Sequence, residues 1–234
     1  MLAGLGSIIF VAGLLVMPPL REHLHHAGHS HPISQIKATF RQPGNLIAFA
    51  LTATVMLGAF TVIPFISLSL VGNAGVPKTR LWLVFLTGGL MTLAGAPLIG
   101  AMADRYGKLL VFRIVASISA ILIAIVTNLG VVPLVIPVGV VGLLMVSNAG
   151  RMTVAMSMIT GSVSSRVRGG LMSANSAVQH VAAGFGAYLS GQIVVHEPAG
   201  ALRNFHIVGL IAIAATVFSL WVAGRVKPAV DRTS

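Results

Sequence analysis

The chain has 234 residues, of which 56% are hydrophobic and only 8% are charged, and its mean hydropathy is +0.96. A soluble domain carries about 25% charged residues, so this composition excludes an ordinary water-soluble protein and indicates a chain that is solvated by a lipid bilayer. There is no cysteine, which excludes disulfides and thiol chemistry. The formal net charge is +11, but the basic residues lie in short segments without interleaved aromatics, so we expect no nucleic-acid partner.

Seven apolar segments are long enough, or nearly long enough, to cross a membrane as helices, which takes about 20 residues. The first is short and resembles a signal peptide in length. It lacks a basic start and a small-residue cleavage site, so we interpret it as a spanning helix or the remnant of one. Pro64 is expected to kink the second segment. The predicted spans are residues 1–18, 45–71, 80–102, 109–129, 133–159, 169–195 and 205–225.

The lysines and arginines between these spans predict the orientation of the chain. If the spans alternate in direction, Lys78, Arg80 and Arg203 lie on one side and all the other loop cations lie on the opposite side. Such a bias places the richer side in the cytoplasm, so we predict a cell membrane (inner or plasma) protein with its C-terminal tail, residues 226–234, inside. The richer side carries Arg21, Lys37, Arg41, Arg105, Lys108, Arg113, Arg166, Arg168, Arg225, Lys227 and Arg232.

Residues 19–44 form the longest connection, and this segment is polar, basic and rich in histidine. We predict that it is a cytoplasmic linker between two units. Imidazoles bind zinc and copper, so the histidine cluster raises a metal-site hypothesis. A flexible loop loses conformational entropy when it folds around an ion, so we favour a plain linker and predict neither a metal site nor a cofactor. The clustered histidines are His23, His25, His26, His29 and His31.

The most specific pattern is a charged loop between the spans at 80–102 and 109–129. Its sequence is Gly100-Ala-Met-Ala-Asp104-Arg105-Tyr-Gly107-Lys108, and its two glycines are expected to flank Asp104-Arg105 in a tight turn between two helices. The spacing Gly-x-x-x-Asp-Arg-x-Gly-Lys resembles the loop signature of the major facilitator superfamily. Every position of that signature is filled in this chain.

The resemblance implies an all-α, polytopic helical membrane protein. Members of the superfamily contain two six-helix bundles joined by a long cytoplasmic loop. Because the linker here is followed by six spans and preceded by one, the chain resembles the C-terminal half, with residues 45–225 as the six-helix bundle and residues 1–18 as the remnant of the sixth helix. The family further implies that residues 45–129 and 133–225 are three-helix inverted repeats.

The function that the resemblance implies is secondary active transport of a small-molecule organic solute by alternating access, with efflux of a drug or sugar as the default expectation. On this interpretation the chain is a truncated half-transporter. We expect little transport from it alone unless it pairs with a separate N-terminal half or a second copy. The alternative is a non-transporting membrane module that associates with another membrane protein.

The resemblance also implies that the charged loop is a conformational latch, which steadies the state that is closed on the cytoplasmic side. Asp104 would accept hydrogen bonds from a helix N-terminus or pair with Arg113, about one turn inside the next helix. The alternative is a solvated loop carboxylate beside Arg105. The predicted latch residues are Gly100, Asp104, Arg105, Gly107, Lys108 and Arg113.

Polar residues inside the spans are candidates for an aqueous substrate pathway near the midplane. Arg151 lies about 15 Å from the loop that follows it, and it would cost at least about 2.5 kcal/mol facing lipid. We therefore expect it to face the bundle interior, with snorkelling toward the helix end as the alternative. His180 falls at the same depth as Arg151 on the next helix, where it belongs to a polar stripe with Ser176. We therefore expect His180 and Arg151 to be neighbours. The pathway candidates are Asn148, Arg151, Asn175, Gln179 and His180.

Helix-to-helix hydrogen bonding is the competing role for these polar residues. No aspartate or glutamate lies in a predicted span, so His180 is the ordinary titratable group available there for proton coupling. The sequence has no catalytic motif and no carboxylate pair within a span, and we predict that the protein is not an enzyme.

Overall fold

The computed structural model describes residues 43–163, 165–198 and 200–226, and this part of the chain is mostly helical. The predicted remnant at 1–18, nearly all of the linker at 19–44 with its histidines, and the tail beyond residue 226 lie outside the described residues. The elements are α1 (Pro43–Phe60), α2 (Ile63–Gly72), a 3-10 turn (Lys78–Arg80), α3 (Leu81–Tyr106), α4 (Lys108–Thr127), α5 (Val135–Thr160), α6 (Ser165–Ile193), β1 (Val195–His196), β2 (Leu202–Arg203) and α7 (Phe205–Ala223).

The six predicted spans that fall in this part of the chain each coincide with a helix or, for the first, with the pair α1 and α2. Five of the segments are long and apolar enough to cross a membrane, which indicates a multi-pass membrane protein. The helix α6 is more polar than these five, because Arg168, Asn175, Gln179 and His180 interrupt its apolar sequence. The five segments are Gly44–Gly72, Lys78–Tyr106, Lys108–Thr127, Val135–Thr160 and Phe205–Ala223.

The predicted span at 45–71 is broken into two helices rather than smoothly kinked. Helix α1 ends at Phe60 and α2 begins at Ile63, with Pro64 in the first turn of α2. Proline has no N–H and its ring crowds the carbonyl four residues earlier, so the helix is interrupted just before the position where the sequence predicts a kink. The carbonyl oxygen of Thr61 is released by this break, and the Ser190 hydroxyl of α6 donates a hydrogen bond to it at 2.6 Å.

The helices pack in an order that repeats after three spans. Helix α3 packs mainly on α5, and α6 packs mainly on α1. Helix α4 packs on α5 and α7, and α7 packs on α4 and α1. If the unit α1–α4 is exchanged with the unit α5–α7, the pair α1–α6 becomes α5–α3, the pair α1–α7 becomes α5–α4, and α4–α7 maps onto itself. The two units therefore share one packing pattern.

Contacts at the two ends of the bundle show that successive spans run in opposite directions. At one end, which we call the hairpin end, the Asn73 side chain donates to the Leu202 carbonyl at 2.9 Å and accepts from the Leu202 N–H at 2.7 Å. At the other end, which we call the motif end, Lys108 Nζ donates to the Ser157 carbonyl at 3.4 Å. Because each unit holds an odd number of spans, the second unit is inverted relative to the first.

A two-stranded hairpin departs from the all-α prediction. Strand β1 pairs antiparallel with β2, so that Val195 lies opposite Arg203 and His196 lies opposite Leu202. The turn between them contains Gly200 at φ +87°, a conformation that glycine adopts without steric cost. The predicted span at 169–195 consequently ends at Ile193, and the chain returns through the hairpin to α7.

Glycines bring α3 and α5 close together. A Cβ added to Gly88 would lie 3.4 Å from the Gly142 Cα, and one added to Gly142 would lie 3.7 Å from the Gly88 Cα. Met145 and Met91 cover the two glycines from the opposite helices. Small residues permit such backbone approach in membranes, where dispersion rather than water exclusion drives helix association.

Candidate functional site

A buried polar centre joins α4, α5 and α7. The Arg151 side chain on α5 is fully buried. Its Nη1 donates to Thr216 Oγ1 on α7 at 2.9 Å, and its Nη2 donates to Asn148 Oδ1 at 2.9 Å. Ser119 of α4 donates to the same Asn148 oxygen at 3.4 Å. Arg151 thus faces the interior of the bundle, and snorkelling toward the helix end is excluded.

The polar centre separates two apolar clusters. The cluster toward the motif end includes Ala116 and Val154, and the cluster toward the hairpin end includes Leu122 and Leu144. Along α4 and α5, the polar residues lie between these pairs. The guanidinium therefore occupies the middle of the bundle, where the surroundings are driest and a charge is most costly.

Within the described residues, the hydrogen-bond acceptors of the Arg151 guanidinium are all neutral. Their two carboxylates, Asp104 and Glu197, are exposed and lie at opposite ends of the bundle. The Arg151 Nε has no hydrogen-bond partner within the described residues. An unpaired buried charge with an unsatisfied donor is destabilising by itself, and such groups are concentrated at functional sites in membrane proteins.

A second polar cluster joins α1, α5 and α6. The Thr52 hydroxyl donates to Asn175 Oδ1 at 2.6 Å, and both side chains are buried. The Asn175 amide nitrogen lies 3.4 Å from Met156 Sδ, and the Gln179 amide nitrogen lies 3.5 Å from the same sulfur. Sulfur is a weak acceptor, so these two amides keep hydrogen-bonding capacity for another partner.

The expected contact between His180 and Arg151 does not occur. His180 is exposed on α6, and the interhelical partner of Arg151 is Thr216 on α7. The expectation was wrong because α6 packs mainly on α1 and turns Asn175 and Gln179 toward α5, which leaves His180 on its exposed side. The five pathway candidates are therefore divided between the polar centre (Asn148, Arg151), the second cluster (Asn175, Gln179) and the outer surface of α6 (His180).

The outer surface of α6 carries a stripe of polar and small residues. Ser173, Ser176 and His180 are exposed at spacings of three and four residues, which place them on one helix face. Gly184 continues this face, and a Cβ added to it would have no neighbour within 4 Å. Buried Asn175 and half-buried Gln179 turn toward the bundle instead, so the polar face predicted for this helix is shared between its inner and outer sides.

The charged loop is a single-residue connection. Helix α3 continues to Tyr106, and α4 begins at Lys108. Gly107 between them has φ +98°, which explains the need for glycine there. Gly100 lies within α3, so the prediction that two glycines flank the turn is correct only for Gly107. A Cβ on Gly100 would lie 3.8 Å from Thr153 Cγ2 of α5.

The charged side chains of this loop do not form the expected ion pair. Asp104 is exposed and makes neither an ion pair nor a hydrogen bond within the described part of the chain. Arg105 lies over the Tyr106 ring at 5.3 Å from its centroid, and Lys108 binds the Ser157 carbonyl near the end of α5. Arg113 lies against Gly224 beyond the end of α7. The helix α4 therefore carries Arg113 away from Asp104.

Several contributors to the two clusters have no sequence signal of their own. Thr52, Ser119 and Thr216 are isolated hydroxyl residues in apolar helices. Such residues commonly bond the carbonyl one turn earlier, as Thr216 also does to Ala212 at 2.8 Å. Only the packing of a second helix distinguishes a hydroxyl that serves its own helix from one that receives a partner.

No model of a known protein family matches the chain, and no curated protein matches it either. The resemblance to the major facilitator superfamily therefore rests on the loop pattern and on the order of spans. Within the described residues there is also no group of three or more metal-ligating side chains.

Proposed function

We propose that the chain is one half of a secondary active transporter of the major facilitator type, which moves a small organic solute by alternating access. The observation that carries the proposal is the shared packing pattern of two three-span units that are inverted relative to each other. Inverted repeats of this kind are typical of secondary transporters, which place the solute near the midplane between bundles. The mid-depth polar centre around Arg151 is consistent with such a site.

The stripe on the outer surface of α6 supports a pathway with a second wall. Exposed Ser173, Ser176 and His180 would face lipid if the bundle worked alone. Polar side chains in a span are stabilised by water or by other helices and not by acyl chains. We therefore assign this face to an aqueous pathway, closed by a separate N-terminal half or by a second copy of the chain. We further propose that the direction of transport is efflux and that the solute is a drug or a sugar.

The charge distribution supports a cell-membrane location with the motif end in the cytoplasm. Among the described residues outside the buried centre, the motif end carries more cations than the hairpin end, as the positive-inside rule requires of a cytoplasmic side. The motif-end cations with described side chains are Arg105, Lys108, Arg113, Arg168 and Arg225, and those at the hairpin end are Lys78, Arg80 and Arg203.

Single-cysteine labelling tests this orientation directly, because the natural chain contains no cysteine. We expect Lys78→Cys to react with a membrane-impermeant maleimide on intact cells. Arg168→Cys is expected to react only after the membrane is permeabilised, because three spans separate the two positions. Labelling of both positions from the same side would contradict the threading and, with it, the transporter proposal.

Transport is tested on the assembly that the chain forms in its membrane, purified in mild detergent and reconstituted into liposomes. We expect the vesicles to move ethidium or radiolabelled glucose, the probes for the drug and sugar classes, at least about tenfold faster than vesicles with Arg151→Met. An assembly with another membrane protein that moves neither probe would favour the non-transporting module instead.

Asp104→Asn is expected to reduce transport severalfold without changing stability. The carboxylate is exposed and unpaired within the described residues, so its neutralisation should change the free energy of unfolding by less than about 0.5 kcal/mol. The latch role applies only to the conformational cycle of the complete assembly. Glu197→Gln, the same chemical change at the hairpin end, is the control, and an equal loss of flux in both variants would remove the latch hypothesis.

A further inference from the structure

An apolar groove runs along the outward face of α7. Leu210, Val217 and Trp221 are more than half exposed, and the groove that they help to form is shallow and open, is lined by side chains of α7 and has a volume of about 620 Å³. The distance from Leu210 to Trp221 along the helix is about 16 Å, which is about half of the hydrocarbon thickness of a bilayer. The groove therefore matches one acyl chain in one leaflet.

The groove ends in an aromatic and cationic group at the motif end. The Phe218 and Trp221 rings stack with centroids 5.4 Å apart. The Arg225 guanidinium lies over the Trp221 ring at 3.2 Å from its centroid. Tryptophan prefers the membrane interface, where its ring contacts acyl chains and its N–H contacts headgroups. This end of the groove is thus at headgroup depth.

A second arginine reaches the same place from α4. Arg113 is exposed, and its Nη2 lies 3.1 Å from the position that a Cβ on Gly224 would occupy. Gly224 directly precedes Arg225, so both guanidinium groups lie at the end of α7. Neither makes an ion pair within the described residues. Arg113 is about 7.5 Å inside α4, so an arginine that faces outward there needs an anion at the level of the lipid phosphates.

We propose that this face is a binding site for one anionic phospholipid. An acyl chain lies in the α7 groove, and the phosphate binds Arg113 and Arg225, whose planar guanidinium groups suit the two oxygens of a phosphodiester. The preferred lipid is anionic because the Trp221 face, which would otherwise receive the ammonium group of a zwitterionic lipid, is already occupied by Arg225. The site requires a membrane but does not require transport.

Tryptophan quenching by brominated lipids tests the site. The chain has two tryptophans, so Trp82→Phe leaves Trp221 as the only reporter in otherwise intact protein. In phosphatidylcholine vesicles, brominated phosphatidylglycerol is expected to quench Trp221 at a mole fraction about tenfold lower than brominated phosphatidylcholine does. The double variant Arg113→Gln/Arg225→Gln is expected to abolish this preference, so that both brominated lipids quench Trp221 at the same mole fraction.

Arg105→Gln is the matched control, because Arg105 also lies over an aromatic ring at the motif end but belongs to α3. It is expected to leave the preference unchanged, and millimolar inorganic phosphate is expected not to compete with the lipid. Equal quenching by both lipids would overturn the proposal. A preference that survives the double variant, or that Arg105→Gln removes equally, would assign the effect to general surface charge and also overturn it. Competition by phosphate would assign the arginines to a soluble anion instead.

Discussion

Arg151→Met is expected to leave the bundle folded while abolishing transport by the assembled protein. Methionine fills a similar volume without a charge, and replacing a buried ionic group by a well-packed apolar one is often neutral or stabilising by about 1–4 kcal/mol. Thr216 would keep its bond to the Ala212 carbonyl, and Asn148 would keep its contact with Ser119. The melting temperature in detergent should therefore be unchanged or higher.

Thr216→Val is the counterpart that should destabilise the same site. It preserves the shape of the side chain but removes the oxygen that accepts from Arg151 Nη1. The guanidinium would then have a second unsatisfied nitrogen in addition to Nε, at a cost of about 1–3 kcal/mol. The double variant Arg151→Met/Thr216→Val should recover the lost stability, because the donor that needs the hydroxyl is gone.

The same variants discriminate between the two roles considered for the intramembrane polar residues. If Arg151 only bonded helix to helix, Arg151→Met would leave flux intact in the protein that folds. If it lines the pathway, flux falls and the melting temperature does not. Normal flux in folded Arg151→Met would refute the pathway role.

Gly209→Ala is expected to destabilise the packing of α7 on α4. An added Cβ would lie 2.8 Å from the Thr127 Cβ and closer still to the Thr127 hydroxyl. Threonine is branched at Cβ and stiff, and Thr127 is itself buried and bonded to the Ile123 carbonyl at 2.8 Å. The neighbour therefore has little freedom to move, and overpacking of this kind costs about 1–3 kcal/mol.

Gly184→Ala is the matched control for this prediction. Gly184 also lies inside a helix, but a Cβ there meets nothing within 4 Å. Alanine is a better helix former than glycine by about 1 kcal/mol, so this variant should be as stable as the parent or more so. Thermal unfolding of the two variants in one detergent gives the comparison, and equal melting temperatures would show that α4 and α7 are not packed as described.

The single-residue turn illustrates how much of the local structure was predictable. Gly107 at positive φ follows from the sequence, because a glycine between two apolar runs can end one helix and begin the next. The absence of a partner for Asp104 among the described residues did not follow from the sequence. A pairing with Arg113 was inferred from their separation along the chain, but the rotation of α4 turns Arg113 toward α7, and spacing alone does not fix which neighbour a helix face meets.

For the polar residues inside the spans, too, the sequence predicts one part of the structure and helix packing decides the rest. The burial of Arg151 could be predicted from the cost of a charge in lipid. Its contact with Thr216 could not, because the two residues are 65 positions apart and nothing in either helix marks the other. His180 lies inside a helix, as the sequence predicts, yet its side chain is exposed, because α6 packs mainly on α1 and presents Asn175 and Gln179 to the bundle.

The sequence by itself determined that the described part of the chain is helical and apolar, where its spans lie to within a few residues, and that more of its cations lie at one end than at the other. These properties depend on the length and composition of each segment, which the bilayer thickness and the positive-inside rule convert into structure. Only the tertiary structure decided the lateral order of the helices, and with it the polar centre. In lipid, apolar residues surround a helix on all sides, so no hydrophobic face identifies its neighbours, and the choice is made by the fit of glycines and hydroxyls between helices.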